Sequence, residues 1–183
     1  MKTRLFILVE GEDDVRFFGR IIKPLLIGRY DAVEIIPYAS IKRSKVSNFL
    51  KSITLMKNDY ILISDIDAER SVKDKKQVLY SHFNHIDGGS IIVVIREIES
   101  WYYAGLSHES AMALDVPDLS STDELTKEDF NQLIPNKYDS RIDFMFEILK
   151  FFSIVSAGKK NHSFRFFADR YHLEDIETGL LAP

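Results

Sequence analysis

Four short apolar runs alternate with stretches in which apolar residues return every three or four positions, and this alternation fills the first half of the chain. The runs are residues 5–9, 32–36, 60–63 and 91–95. Residues 60–63 (Tyr-Ile-Leu-Ile) and 91–95 (all Ile and Val) carry nothing charged, as expected of strands buried on both faces. Between the runs lie helical patterns. Val15, Phe18, Ile22 and Leu25 mark an amphipathic helix over residues 12–29, which Pro24 should kink or end. Val46, Phe49, Leu50 and Ile53 mark a second helix. Residues 72–83 suit a third, closed near Asp87-Gly88-Gly89. Gly11, just after the first run, permits a tight turn at the strand end.

The order βαβαβαβ implies a parallel sheet with right-handed crossovers. The fold class predicted is therefore α/β: a four-stranded parallel sheet flanked by helices, over residues 1–105. Beyond it the pattern is helical only. Residues 97–105 read as helix, and Phe130/Leu133/Ile134, Phe144/Ile148/Leu149/Phe152 and Phe164/Phe167/Tyr171 each make an apolar face. Residues 106–183 are expected to form a helical extension packed on the α/β domain. Pro117-Asp118-Leu119-Ser120-Ser121-Thr122 is the best candidate linker.

Composition narrows this picture only slightly. A 45% hydrophobic, 28% charged chain of 183 residues is an ordinary globular balance. The absence of cysteine removes disulfides and thiolate metal sites. No apolar run approaches the roughly 20 residues that span a bilayer, and the acids from Glu10 onward cut the apolar start too short for a signal peptide. The expectation is a cytoplasmic protein with no membrane partner. A net charge of −4 argues against nucleic acid held over the whole surface, but not against a local basic groove. The charge is uneven. Residues 105–130 hold seven acids and one lysine, whereas residues 158–170 hold Lys159, Lys160, Arg165 and Arg170 against Asp169.

The candidate chemistry sits where strands end. Glu10 and Asp14 follow the first strand, Asp65 and Asp67 the third, Glu97 and Glu99 the fourth. Strand alternation points Asp65 and Asp67 to one side. Each cluster by itself suits a helix cap or an acidic turn. Jointly they place acids along one edge of one sheet, where a parallel sheet takes its ligands. Five or six converging carboxylates repel one another unless cations intervene. Hard divalent cations prefer such oxygens, and phosphate is the natural third party. Lys42, Arg43 and Lys45, after the second strand, and Arg165 are candidates for backbone phosphates. The histidines show no metal-ligand spacing. Trp101, Tyr102 and Tyr103 suit an anchoring role better than base stacking.

Val9-Glu10-Gly11-Glu12-Asp13-Asp14 followed by Ile63-Ser64-Asp65-Ile66-Asp67 resembles a Toprim domain, the catalytic module of topoisomerases, bacterial primases and OLD-type nucleases. The Glu10-x-x-x-Asp14 spacing looks most like the OLD type. Glu97-Ile98-Glu99-Ser100-Trp101-Tyr102, and more faintly Ser163-Phe164-Arg165, are similar to segments of small stand-alone Toprim proteins of bacterial defence loci. The resemblance covers about the first 105 residues. It implies a Rossmann-like sheet and phosphodiester chemistry on DNA or RNA with one or two Mg²⁺ or Mn²⁺ ions. Glu10 would be general base, general acid or ligand. Asp65 and Asp67 would hold the metal, with Asp14, Glu97 and Glu99 towards a second ion. Lys159 or Lys160 would reach the site. Size favours a nuclease over a topoisomerase or primase. OLD-type enzymes usually carry an ATPase domain, and no Gly-x-x-x-x-Gly-Lys-Ser/Thr loop occurs here, so a separate ATPase partner is implied. A homodimer is also open.

Two other readings stand beside this one. A catalytically weak Toprim module would serve as a binding subunit for a separate ATPase or effector. Asp-x-Asp phosphatases or glycosyltransferases would explain Asp65 and Asp67, but not Glu10-Gly11 at the first strand end.

Overall fold

The computed structural model describes residues 3–174. The described residues divide into two compact units, 3–94 and 95–174.

The first unit is the α/β sheet. Its strands are β1 (Arg4–Val9), β2 (Ala32–Pro37), β3 (Asp59–Asp65) and β4 (Ile91–Val94), all parallel, in the order β2-β1-β3-β4. Leu8 lies opposite Ile36 on one side and Leu62 on the other, which makes β1 an interior strand. From Leu5 to Val9 every side chain is buried, and so is every residue of β4. Near-continuous apolar runs are what two covered faces require.

The helices follow the sequence pattern with one adjustment. The predicted helix over residues 12–29 is three pieces: α1 (Glu12–Phe17), a π turn (Phe18–Ile22) and α2 (Lys23–Leu26). Pro24 has no N–H for the Arg20 carbonyl. The turn before it widens instead, and the Lys23 N–H bonds the Phe18 carbonyl five residues back. The helix stops at Leu26, three residues short of the expected end. α3 (Arg43–Leu55) and α4 (Val72–His82) form as predicted. Val46, Leu50 and Ile53 of α3 and Leu79 of α4 pack with Phe6, Leu8, Leu62 and Val93 in one core. Each such buried side chain contributes about 1.5–3 kcal/mol relative to an exposed one.

The turn at Gly11 does not draw on glycine's freedom of φ. The backbone there is extended (φ −143°), and a Cβ would meet only ordinary contact. The turn is made by the Gly11 N–H, which donates to Asp14 Oδ2 at 3.0 Å.

The second unit is helical. Its elements are α5 (Ile98–Ala104), α6 (His108–Leu114), α7 (Lys127–Gln132), α8 (Arg141–Lys150), α9 (Ile154–Lys160) and α10 (His162–Tyr171). Ser107, Thr126, Ser140, Ser153 and Asn161 each cap a helix by accepting a backbone N–H three residues on. Every residue of α5 is buried. Trp101 stacks on Phe167 (5.4 Å between centroids), and its indole N–H donates to Ser163 Oγ at 2.8 Å. The aromatic trio thus anchors, as its sequence suggests. The Ser163-Phe164-Arg165 segment serves the packing of this unit, since Ser163 Oγ also accepts the Ile95 N–H. The segment 117–122 is not a loose linker. The Tyr103 hydroxyl donates to the Pro117 carbonyl at 2.8 Å, and the Thr122 N–H donates to the Lys160 carbonyl at 2.9 Å. No helix of the described residues is long and apolar enough to cross a membrane.

Candidate functional site

In the order β2-β1-β3-β4 the direction of strand addition switches between β1 and β3, because one crossover from β1 leads outward to β2 and the next returns to its other side. With crossovers of one hand, the connecting helices leave on opposite faces and a crevice opens beyond the carboxyl ends of β1 and β3. Glu10 and Asp65 stand at those two ends.

Glu10 is tied directly to the end of β3. Its Oε1 accepts the Ser64 hydroxyl at 2.5 Å and the Asp65 backbone N–H at 3.3 Å. The Tyr38 hydroxyl lies 3.3 Å from the same oxygen and 3.1 Å from the Ile63 carbonyl, and can donate to either. Burial, reinforced by the Glu10 carboxylate, pushes the Tyr38 pKa well above its usual value, so its hydroxyl stays a donor. All these bonds use Oε1; none among the described residues engages Oε2.

Asp67 is placed differently from the expectation. β3 ends at Asp65, so the alternation that aligns side chains along a strand no longer applies two residues later. Ile66 turns into the core, and Asp67 sits in a turn with φ 53°, a left-handed conformation that aspartate tolerates better than most residues. Its carboxylate, 59% exposed, pairs with the ammonium of Lys75, whose side chain is 5% exposed.

A cleft of about 400 Å³ opens here, lined among others by Glu10, Tyr38, Ser64, Asp67, Glu69 and Lys75, with Arg43 and His82 at its basic side. Desolvation lowers the His82 pKa, and the neighbouring Arg43 and Lys75 charges lower it further. Of the four basic residues predicted for phosphate, the three in this unit, Lys42, Arg43 and Lys45, are all exposed, and Arg43 lines the cleft. Asp14 is buried, with its carboxylate on the Gly11 N–H of its own helix start.

The other predicted residues belong to the second unit, where Glu97, Glu99 and Lys160 have partners. Glu97 Oε2 accepts the Lys127 N–H at 2.6 Å. Glu99, buried, pairs with Arg141, and desolvation raises its pKa. Lys160 donates to the Leu106 carbonyl at 2.7 Å and to Asp118 at 2.5 Å. Lys159 and Arg165 are exposed on α9 and α10.

Within the first unit, no group of three metal-ligating side chains gathers among the described residues. The reason is local. Asp14, Asp67, Glu97 and Glu99 each find a hydrogen-bond or charge partner close by. At the switch point Glu10 and Asp65 stand on adjacent strand ends, joined through the Asp65 backbone N–H that donates to Glu10 Oε1. Such a pair fits a small hard cation that keeps most of its water, as Mg²⁺ does when held by one or two carboxylates. Asp67 could join only by leaving Lys75.

Ser64, Tyr38, Glu69 and Lys75 did not emerge from the sequence. Two of them left a trace there. Ser64 is the single polar residue between the apolar run and Asp65. Lys75 stands four residues before Leu79 and eight before Phe83, on the buried face of its helix.

No family model and no curated protein matches the chain. Solved structures do. The C-terminal region of the Burkholderia pseudomallei OLD protein aligns over 99% of this chain and 100% of its own, at 13% identity and a TM-score of 0.50. The C-terminal region of the Xanthomonas campestris pv. campestris OLD protein, phased with iodine, aligns over 93% and 98% at 15% identity, with a TM-score of 0.44, too loose a superposition to add to the first. At such identity the likeness is one of fold. The α/β class and four-stranded parallel sheet read from the sequence are those of the structure, and the fold is similar to that of the C-terminal region of the Burkholderia pseudomallei OLD protein.

Proposed function

We propose that this protein cleaves phosphodiester bonds of DNA or RNA with a divalent cation, Mg²⁺ or Mn²⁺, held at the switch point by Glu10 and Asp65. The observation that carries the reading is the direct tie of the Glu10 carboxylate to the Ser64 hydroxyl and the Asp65 backbone N–H, which fixes it against the end of the strand that carries Asp65. A bound cation supplies polarisation of the phosphate and an activated water. The chain's own residues do the rest. Ser64 and Tyr38 hold Glu10 in place, and Arg43 lines the approach. Lys42, Arg43 and Lys45 support a strand-holding role on a further ground. They stand at the N-terminus of α3, where the helix dipole disfavours cations by about 0.3–1 kcal/mol each, so helix stability does not account for them.

The test uses purified protein on supercoiled plasmid, linear duplex and single strands, with and without Mg²⁺ or Mn²⁺. Metal-dependent cleavage that disappears in Asp65→Ala supports the proposal. Metal binding with no cleavage on any substrate favours the second reading, a binding subunit working with a separate ATPase or effector in phage defence or repair. One observation speaks for that second reading: the Asp67 carboxylate is engaged by Lys75. A pull-down from the native host that recovers no ATPase would weigh against the partner.

A further inference from the structure

Lys75 is the one lysine or arginine that is buried among the described residues. Withdrawing an ammonium from water is costly unless a carboxylate faces it. Its partner, Asp67, is itself largely in water and held in a left-handed turn. A second carboxylate, Glu69, lines the same cleft, and its Oε2 is buried with no hydrogen-bond partner. Such an atom is uncommon in native structures and calls for a partner. Besides Glu10, the cleft therefore holds one buried cation and two carboxylates, Asp67 and Glu69, only one of which that cation satisfies. The acid it occupies lines the same cleft as Glu10.

We propose that Lys75 is a resident cation of the site: it holds Asp67 while no divalent metal is bound, and passes to Glu69 when the metal takes Asp67. The inference rests on the divalent-cation reading above. It makes Lys75 a positioning residue. The exchange keeps the charge of the cleft balanced in both states, since the ammonium always faces a carboxylate and Asp67 always faces a cation. It also sets metal affinity by competition, so Lys75 opposes weak binders and leaves the cleft only in part, towards Glu69.

The experiment is Mn²⁺ binding to the full chain, followed by electron paramagnetic resonance and calorimetry, with no nucleic acid present. Lys75→Met, nearly isosteric, should bind Mn²⁺ about threefold to tenfold more tightly than wild type, the range expected for removing a half-exposed ion pair. That gain should vanish in an Asp67→Asn background. Glu69→Gln, which removes no partner from the folded protein, should weaken binding in wild type and change nothing in the Lys75→Met background. Unchanged or weaker binding by Lys75→Met overturns the proposal. So does a Glu69→Gln effect that persists without Lys75, because Glu69 is then a ligand itself. Glu10→Gln separates the two readings. If Glu10→Gln removes Mn²⁺ binding while Lys75→Met leaves it untouched, the metal site stands and the exchange fails. If wild type and Lys75→Met both fail to bind Mn²⁺, the metal reading fails, and the exchange with it.

Discussion

Each unit buries one charge of an ion pair, and the two do it in opposite senses. In the α/β unit the lysine is hidden and the acid is open: Lys75 is 5% exposed and Asp67 59%. In the helical unit the acid is hidden: Glu99 is 4% exposed and Arg141 23%. The difference decides what each pair can do. An exposed carboxylate can change partners, because water and ions reach it. A buried carboxylate cannot be left alone, because its desolvation must be offset at all times. The acids of the two units are equivalent as sequence motifs, all at predicted strand ends. In the structure Glu10 and Asp67 line a cleft, whereas Glu97 and Glu99 tie helices of their own unit together.

That contrast can be broken by substitution. The largest expected effect is on chemistry. Glu10→Gln should lower cleavage by at least about a hundredfold, the scale of losing a group that holds a catalytic metal or its water, while leaving unfolding midpoints nearly unchanged. Glu99→Gln should keep most of the cleavage activity. A Glu99→Gln enzyme as dead as Glu10→Gln would erase the distinction between the two units.

Stability should respond in the reverse order. Arg141→Met strands a buried carboxylate and should cost about 3 kcal/mol in denaturant unfolding. Lys75→Met strands only an exposed one and should cost about 1 kcal/mol or less. Equal losses would show that exposure of the abandoned partner is not what matters.

Smaller effects sharpen the same comparison. Thr126→Ala removes a cap whose hydroxyl and backbone are bonded to Asp129, and should cost about 1 kcal/mol in the helical unit with no change in cleavage. The pH dependence is finer still. Desolvation raises the Glu99 pKa above the ordinary 4.5, although Arg141 pulls it down. The folded state therefore binds this proton more tightly than the unfolded chain does. The resulting stabilisation is fully present below pH 4.5 and is lost as pH rises through the elevated folded value. Glu99→Gln should remove that component and flatten stability over this range. A Glu99→Gln profile parallel to wild type would show that the group does not titrate differently in the two states.

Much of the architecture was legible along the chain. The apolar runs at 5–9, 32–36, 60–63 and 91–95 became the four strands within a residue or two, because strands buried on both faces leave a nearly uninterrupted record. The Phe and Ile periodicity after residue 97 became helices, because one apolar stripe per helix returns every three or four residues, although Leu133, Ile134 and Phe152 fall just beyond the ends of α7 and α8. Pro24 announced a break but not its form, since a π turn is a compromise between the lost hydrogen bond and continued packing of Phe18 and Ile22. The candidate site was legible in part. Glu10 and Asp65 were named from strand ends, and their contact follows from the sheet order.

The sequence by itself determined which residues are strand and helix, and which acids stand at strand ends, because those depend on period and local turn chemistry. Only the tertiary structure decided which acids meet and what holds them. β1 lies beside β3, so Glu10 reaches Ser64 and Asp65. β3 stops at Asp65, so Asp67 swings to Lys75 rather than following its neighbour. Charges choose partners by distance in space and by how much water each must give up, and neither quantity is written in spacing along a chain.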